Sequence, residues 1–370
     1  MNTITKASQS LFGRPDDEVF SGWGDILTHL REEQKRTIEV PLDHLSATSR
    51  DGSLLASFSK DGNSYLTEMT DWSFGCVAKF TGVRGAYGTL NSLTPQTSAT
   101  AINELLGRNS ASRRDRVSLV YLSEDKSNAP VSRAFYSNAY KRVSDLEVFQ
   151  HFHTLSEQFG YEPAGEFAGK RGGLSPVRPE ASGLYRGDRS SFGFIANERG
   201  KVDIDNSSLY HAVMWGNSEV GRETLWFQDV LYNFICGNHM IWGPKRLRTV
   251  KHKHVGDVRA VLEQATRMFE EVDLEREERR ISTEEMFMKA STTSFAGTRK
   301  LVESKLADKF TKKDAALASS YLDHPQAYPK NPTSVWGVVQ AITLASQEKN
   351  FMDEGRAMNK VAGDLLSQLA

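Results

Sequence analysis

Residues 209–242, LYHAVMWGNSEVGRETLWFQDVLYNFICGNHMIW, carry the reading on which the fold turns. Apolar and polar positions alternate on either side of Asn217-Ser218-Glu219-Val220-Gly221, which predicts two extended segments joined at a turn. Tyr210, Trp215, Trp226, Phe227, Tyr232, Phe234 and Trp242 fall within this one stretch, whereas aromatics make up 10% of the whole chain. Side chains of that size contribute most when buried, so the stretch predicts the centre of a sheet packed into a core. Just upstream, VSLVYLS at 117–123 has the pattern of a buried strand. SDLEVFQHFHTLSEQFG at 144–160 has helical spacing and stops at Gly160. Residues 117–243 therefore form the expected sheet-bearing core.

Working outward, residues 1–116 form a helix and hairpin region. Val19, Phe20, Trp23, Ile26, Leu27 and Leu30 predict an amphipathic helix over 16–37. TIEVPL at 37–42 and SLLASFS at 53–59 are extended, with KDGNS at 60–64 as a turn, and TPQTSATAINELLG at 94–107 is a capped helix. Residues 244–370 begin with the basic segment PKRLRTVKHKH at 244–254. A strong helix follows, with Val258, Leu262, Ala265, Met268, Phe269 and Val272 on one stripe, and its charged end, Glu270–Arg280, is expected to face solvent or a partner. Further helices are expected at 283–292, 298–321, 333–348 and 353–369. The fold class is α+β: a central antiparallel, aromatic-rich sheet with flanking helices and a helical C-terminal part.

Composition narrows the function classes. Forty-six Lys and Arg against 47 Asp and Glu leave a net charge of -1 over 370 residues, so any basic site has to be local. The two cysteines, Cys76 and Cys236, are too few to staple such a chain, and a reducing cytoplasm is the expected setting. MNTITKASQSLFG has no continuous apolar run, so no signal peptide is expected, and no stretch reaches the ~20 apolar residues of a spanning helix. GEFAGKR at 165–171 and GVRGAYG at 82–88 miss the phosphate-loop and dinucleotide spacings, and GVRGAYG reads as a glycine-rich turn. His151 and His153, two apart on a helix, point away from each other, and Cys236 with His239 has no second pair, so no metal is expected. Neither a catalytic spacing nor a cofactor is called for, and the protein reads as non-enzymatic. An enzyme built on Cys236 is the last alternative.

Charge and aromatic clustering stand out instead. Lys245, Arg246, Arg248, Lys251 and Lys253, with His252 and His254 and no acid, follow directly on the aromatic stretch. Arg113, Arg114 and Arg116 form a second cluster, and GKRGG at 169–173 presents Lys170 and Arg171 on a flexible turn. Cations next to aromatics suit a phosphate backbone with unstacked bases.

Several motifs together resemble a known family: RGAYGTLNSLTPQTSATAINELL at 84–106, SRAFYSNAYKRVSDLEVF at 132–149, YEPAGEFAGKRGG at 161–173, WGNSEVGRETLWF at 215–227 and ICGNHMIWG at 235–243. They are similar to the phage/plasmid-like family known as domain of unknown function 932. Asn217, Ser218, Gly221, Cys236 and Asn238, with His252 or His254, occupy that family's motif positions, while His239 and both chain ends depart from it. The resemblance implies a protein of a phage, plasmid or integrated element acting in the cytoplasm of a bacterial host, and it implies no reaction. Asn-Ser-x-x-Gly also has a purely structural use, as an Asx-type turn with a glycine at positive φ. The expected function is single-stranded or duplex DNA binding in replication or recombination, through the ten Lys and Arg residues named above and with self-assembly into homo-oligomers. The rival is a host-takeover or structural protein-interaction factor docking through Glu270–Arg280.

Overall fold

Where one helix is expected over 16–37, the described residues begin with a short strand followed by a helix. In the computed structural model, which describes residues 19–368 apart from 21, 43, 61, 109–115, 123–128, 164–182, 205–206, 234–238, 242–248, 255–256, 324–330 and 347–351, β1 is Val19–Phe20 and α1 is Trp23–Arg36. Val19 and Phe20 pair antiparallel with Tyr185 and Leu184, and this distant backbone partner outweighs the helical spacing of their side chains. Trp23, Ile26, Leu27 and Leu30 form the buried side of α1.

A mixed sheet follows, built from β2 (Thr37–Leu42), β3 (His44–Arg50), β4 (Ser53–Lys60), β5 (Asn63–Met69), β6 (Arg116–Tyr121) and β7 (Val131–Ser137) in the order β2-β6-β7-β5-β4-β3. The KDGNS hairpin forms as expected, with Lys60 opposite Asn63. β3, which its polar composition hides, is set by a second Asp-Gly turn: Asp51 and Gly52 both have positive φ, 51° and 77°, as a two-residue hairpin requires. Helices α2 (Asp71–Phe80), α3 (Ala86–Asn91) and α4 (Pro95–Arg108) pack on this sheet around Phe58, Val77, Ile102, Val120 and Phe135. Asn103 of α4 reads the β3 backbone in both directions, accepting from the Ala47 amide at 2.7 Å and donating to its carbonyl at 2.8 Å. Of the glycine-rich stretch 82–88, only residues 82–85 precede α3 as a turn, with Gly82 and Gly85 at φ 74° and 76°, and Ala86–Gly88 already belong to the helix.

The second sheet carries the aromatic stretch. Helix α5 (Asp145–Phe159) ends at Gly160, whose φ of 73° terminates it as expected. The strands are β8 (Glu162–Pro163), β9 (Leu184–Arg186), β10 (Ser191–Ile204), β11 (Ser207–Asn217), β12 (Leu225–Asn233), β13 (His239–Ile241) and β14 (Thr249–His252). They run β1-β9-β10-β11-β12-β13, with β14 also on β12 and β8 on β10, and every pair is antiparallel. Trp215 is fully buried at the centre of one face. Its ring stacks on Phe152 of α5 at 4.2 Å and lies parallel to Trp23 of α1 at 5.9 Å. α6 (Val258–Leu274) completes this layer through Val261, Leu262, Ala265, Met268, Phe269 and Val272.

The remaining helices are α7 (Arg276–Thr292), α8 (Arg299–Leu306), α9 (Lys312–Ser320), α10 (Val335–Ser346) and α11 (Met352–Ser367), and they enclose a further core around Phe287 and Trp336. The single helix expected over 298–321 is two, because Thr311 caps a new start by accepting from the Asp314 amide. Nor is the charged run at 270–280 all solvent-facing: Arg279 is buried and donates to Asp229 of β12 at 2.6 Å. No described helix is long and apolar enough to cross a membrane.

Gly193 stands opposite Trp215 in the β10–β11 ladder, and a methyl group there would overlap the indole ring. Gly193→Ala is expected to cost about 1–3 kcal/mol of unfolding free energy through overpacking, read as a lower urea midpoint. An unchanged midpoint would mean that the ring is not held over that position.

Candidate functional site

The turn between β11 and β12 is tied both to α5 and its own sheet and to the helices of the first sheet. Asn217 does not cap its own turn. Its amide reaches across to α5, donating to the Val143 carbonyl at 2.9 Å and to Asp145 Oδ1 at 2.7 Å. The local turn bond comes from Ser218, whose Oγ accepts from the Arg222 amide at 3.0 Å and donates to the Arg189 carbonyl at 2.7 Å. Gly221 has φ 77°, the positive value foreseen for the motif. Tyr140 donates to the Ser218 carbonyl at 2.6 Å, and the Trp72 indole N–H of α2 donates to the Val220 carbonyl at 2.8 Å, tying the turn to the first sheet's helices.

Glu219, only 5% exposed, points from this turn into a cluster of charges. One carboxylate oxygen accepts from the Asp145 amide at 2.9 Å, the first N–H of α5, where Ser144 supplies no side-chain cap. Arg133 of β7 lies at 3.1 Å, Arg142 at 3.3 Å and Arg186 of β9 at 3.6 Å. Glu33 of α1 takes Arg133 and Arg186, each at 2.7 Å. Asp145 faces Arg186 Nε at 3.0 Å in an ion pair too poorly aligned to be a hydrogen bond, and it accepts from Ser191 Oγ at 2.6 Å. Glu39 meets Arg142 at the rim at 3.2 Å.

Buried Arg133 and Arg186 and part-buried Arg142 thus face Glu33 of α1, Asp145 of α5 and Glu219 of the turn, with Glu39 added at the rim. Burial, and then the neighbouring Glu219 carboxylate, push the Asp145 carboxyl above its ordinary value. Burial alone would do the same to Glu219, but Arg186, Arg133 and Arg142 outweigh it and hold that carboxyl below the ordinary value. Every member of the array is engaged with another, which fits a clamp rather than an acid or base poised for reaction.

Beside the clamp opens a cleft of about 720 Å³, between α2 and β7 on one side and the motif turn on the other. That is the size of a small-molecule or nucleotide site. Trp72, Phe80, Tyr87, Phe135, Tyr136 and Tyr140 supply aromatic surface. Lys79, Arg116 and Arg189 bring three positive charges against Asp71, which is paired with Arg189 at 2.7 Å and accepts from Tyr87. The Arg116 guanidinium lies 3.8 Å from the centre of the Phe80 ring. Among the described residues, no three His, Cys, Asp or Glu side chains converge as a metal would require.

Of the ten basic residues expected to touch nucleic acid, Arg116 lies in the cleft, in strand β6 rather than in a loop. Lys251 and Lys253 are exposed on and just after β14. Their neighbour His254 is buried and stacks on Tyr140 of the cleft wall at 4.9 Å, so this basic strand runs up to the same place. Arg113, Arg114, Lys170, Arg171, Lys245, Arg246, Arg248, Cys236 and Asn238 lie outside the described residues.

Sequence reasoning passed over Glu219, Glu33, Arg133, Asp145 and Arg186. Arg133 was detectable in principle, since an arginine within the apolar run of β7 needs a buried partner. No local pattern identifies that partner.

A family model, Domain of unknown function (DUF932), matches residues 134–361. The match spans more than half of the chain, which therefore belongs to this family. No curated protein and no solved structure matches it.

Removing the central carboxylate leaves buried Arg133 and Arg186 and part-buried Arg142 short of a counter-ion. Glu219→Ala is therefore expected to lose about 3–5 kcal/mol of stability in urea unfolding, and Glu219→Gln, which keeps the acceptor for the α5 amide, less. A loss under about 1 kcal/mol for the alanine variant would refute the clamp. Burial pushes the His254 imidazole down to about 4, so between pH 6.5 and 4 the unfolded chain takes up a proton that the folded chain refuses. Stability is expected to fall as pH drops through that window. His254→Phe keeps the ring on Tyr140 and should show a smaller fall between pH 7.5 and 5; an equal fall would place the pH dependence elsewhere.

Proposed function

We propose that this member of the DUF932 family is a non-enzymatic nucleic-acid-binding protein of a mobile genetic element, taking single-stranded DNA across the cleft during replication or recombination. The observation that carries this reading is the pairing of aromatic faces with excess positive charge in one open cavity: Trp72, Tyr87 and Tyr140 beside Lys79 and Arg116. Single-strand binders work by this combination, aromatic rings accepting bases by stacking while cations follow the backbone. Base stacking tolerates any sequence because every base has a π-face, and paired bases in a duplex are already stacked on one another. Such a cleft therefore favours single strands.

The charge distribution supports the same reading. The chain as a whole is neutral to within one charge, yet the cleft carries three cations against one acid, and exposed Lys251 and Lys253 sit on the strand that leads to Tyr140. The buried clamp holds β7 and the Asn217–Gly221 turn, two walls of the cleft, in fixed relation, so ligand binding would meet a preorganised surface.

The test is a fluorescence-anisotropy titration of the whole chain with labelled single-stranded and duplex DNA at two salt concentrations. Salt-sensitive binding that prefers the single strand is expected. Lys251→Glu with Lys253→Glu should weaken it and flatten the log affinity against log salt slope by about 1.4, two contacts at about 0.7 each. Tyr87→Ala should cost about 1–3 kcal/mol of binding with the slope unchanged. Absence of binding at low salt would overturn the proposal.

A further inference from the structure

Seven large apolar side chains are exposed among the described residues, and they fall into two groups. Val83, Tyr87 and Leu93 belong to the α2–α4 region beside the cleft. The other four, Leu274, Ile281, Met288 and Leu301, lie on α6, α7 and α8. Leu274 is 84% exposed and Met288 60%, values that leave no room for a covering neighbour.

Ile281 and Met288, seven residues apart on α7, align in one row with roughly 10 Å between them. Leu274, seven residues before Ile281, ends α6 just before the turn at Glu275 that leads into α7. The row lies opposite the buried side of α7, formed by Arg279, Thr283, Met286, Phe287 and Ala290. Glutamates border it on both sides, Glu277 and Glu284 along one edge and Glu278 and Glu285 along the other. Arg280 bridges Glu277 and Glu284, and Lys289 is the only other cation bordering the row, so the stripe is apolar with an acidic margin.

The fourth residue, Leu301 of α8, has the opposite surroundings. It is 53% exposed, and the stretch of chain it belongs to, α8 with the following turn and the start of α9, exposes Lys300, Lys305, Lys309, Lys312 and Lys313. Glu303, Asp308 and Asp314 only partly offset them. Two stripes placed face to face would bring glutamate margins together, which disfavours a symmetric pair. A stripe against a Leu301 patch joins apolar to apolar and acid to base.

We propose that the chain associates with further copies of itself head to tail, the Leu274–Ile281–Met288 stripe of one copy seating on the Leu301 patch of the next. Both surfaces remain available on the outer members, so the contact propagates, closing into a ring or continuing as a filament according to the rotation between copies. The inference does not depend on the nucleic-acid reading.

The experiment is light scattering coupled to size exclusion on the full chain over a range of concentrations, with reciprocal charge reversals. The wild-type mass should rise with concentration to multiples of 41.3 kDa and fall back as salt is raised. Glu278→Lys with Glu285→Lys gives a copy with two basic surfaces, and Lys300→Glu with Lys309→Glu gives one with two acidic surfaces. Each should stay at the single-chain mass alone, and an equimolar mixture of the two should assemble again. Thermal melts matching wild type would establish that both are folded. A wild-type chain at single-chain mass at every concentration overturns the proposal, as does either reversed variant assembling alone or a mixture that fails to assemble.

Discussion

The Glu219 carboxylate is the interaction on which the rest of the structure depends. It closes the N-terminus of α5 through the Asp145 amide and sits among Arg133, Arg142 and Arg186, which come from the first sheet, the segment before α5 and the second sheet. A carboxylate in a buried place is stable only if its environment replaces the lost water, and here three guanidinium groups and a helix N-terminus do so. Its neighbours then need partners of their own, which Glu33 and Asp145 provide. The array closes only when α1, both sheets and α5 are in place together, so it specifies how the sheets meet more than it adds net stability.

Apolar packing supplies the stability around this polar junction. Trp215 is the centre of one layer, stacked on Phe152, parallel to Trp23 and lying over Gly193, which leaves the ring space on the neighbouring strand. Gly216 repeats the arrangement for Trp226 across the next ladder. Two large aromatics in adjacent strands are thus accommodated by two glycines. The turn that follows Gly216 delivers Glu219 to the clamp, and the same turn, through Val220 and Gly221, forms part of the cleft.

One short segment therefore serves packing, charge balance and the cleft at once. Asn217 is spent on α5, Ser218 on the backbone of Arg189, Glu219 on the arginines, and Val220 on Trp72. The family match, residues 134–361, includes this turn but leaves out α2, the helix that supplies Trp72, Lys79 and Phe80 to the cleft. The cleft is thus a joint product of the matched region and the preceding sheet unit.

Much of the secondary structure could be read directly, because its causes are local. The strands around Asn217–Gly221, the hairpin at 60–64, the stop of α5 at Gly160 and the stripe on α6 follow from periodicity and turn chemistry within a dozen residues. Where a distant partner intervened, local reading failed: Val19 and Phe20 joined a strand at 184–185, and Arg279 left the solvent for Asp229. The motif Asn-Ser-x-x-Gly was recognised as a turn, yet the residue of greatest consequence in it occupied one of its unspecified positions. The meeting of Glu33, Arg133, Asp145, Arg186 and Glu219 was decided by the tertiary structure alone. Ion pairs between remote positions impose no spacing on the chain, and their partners are known only once the sheets have packed.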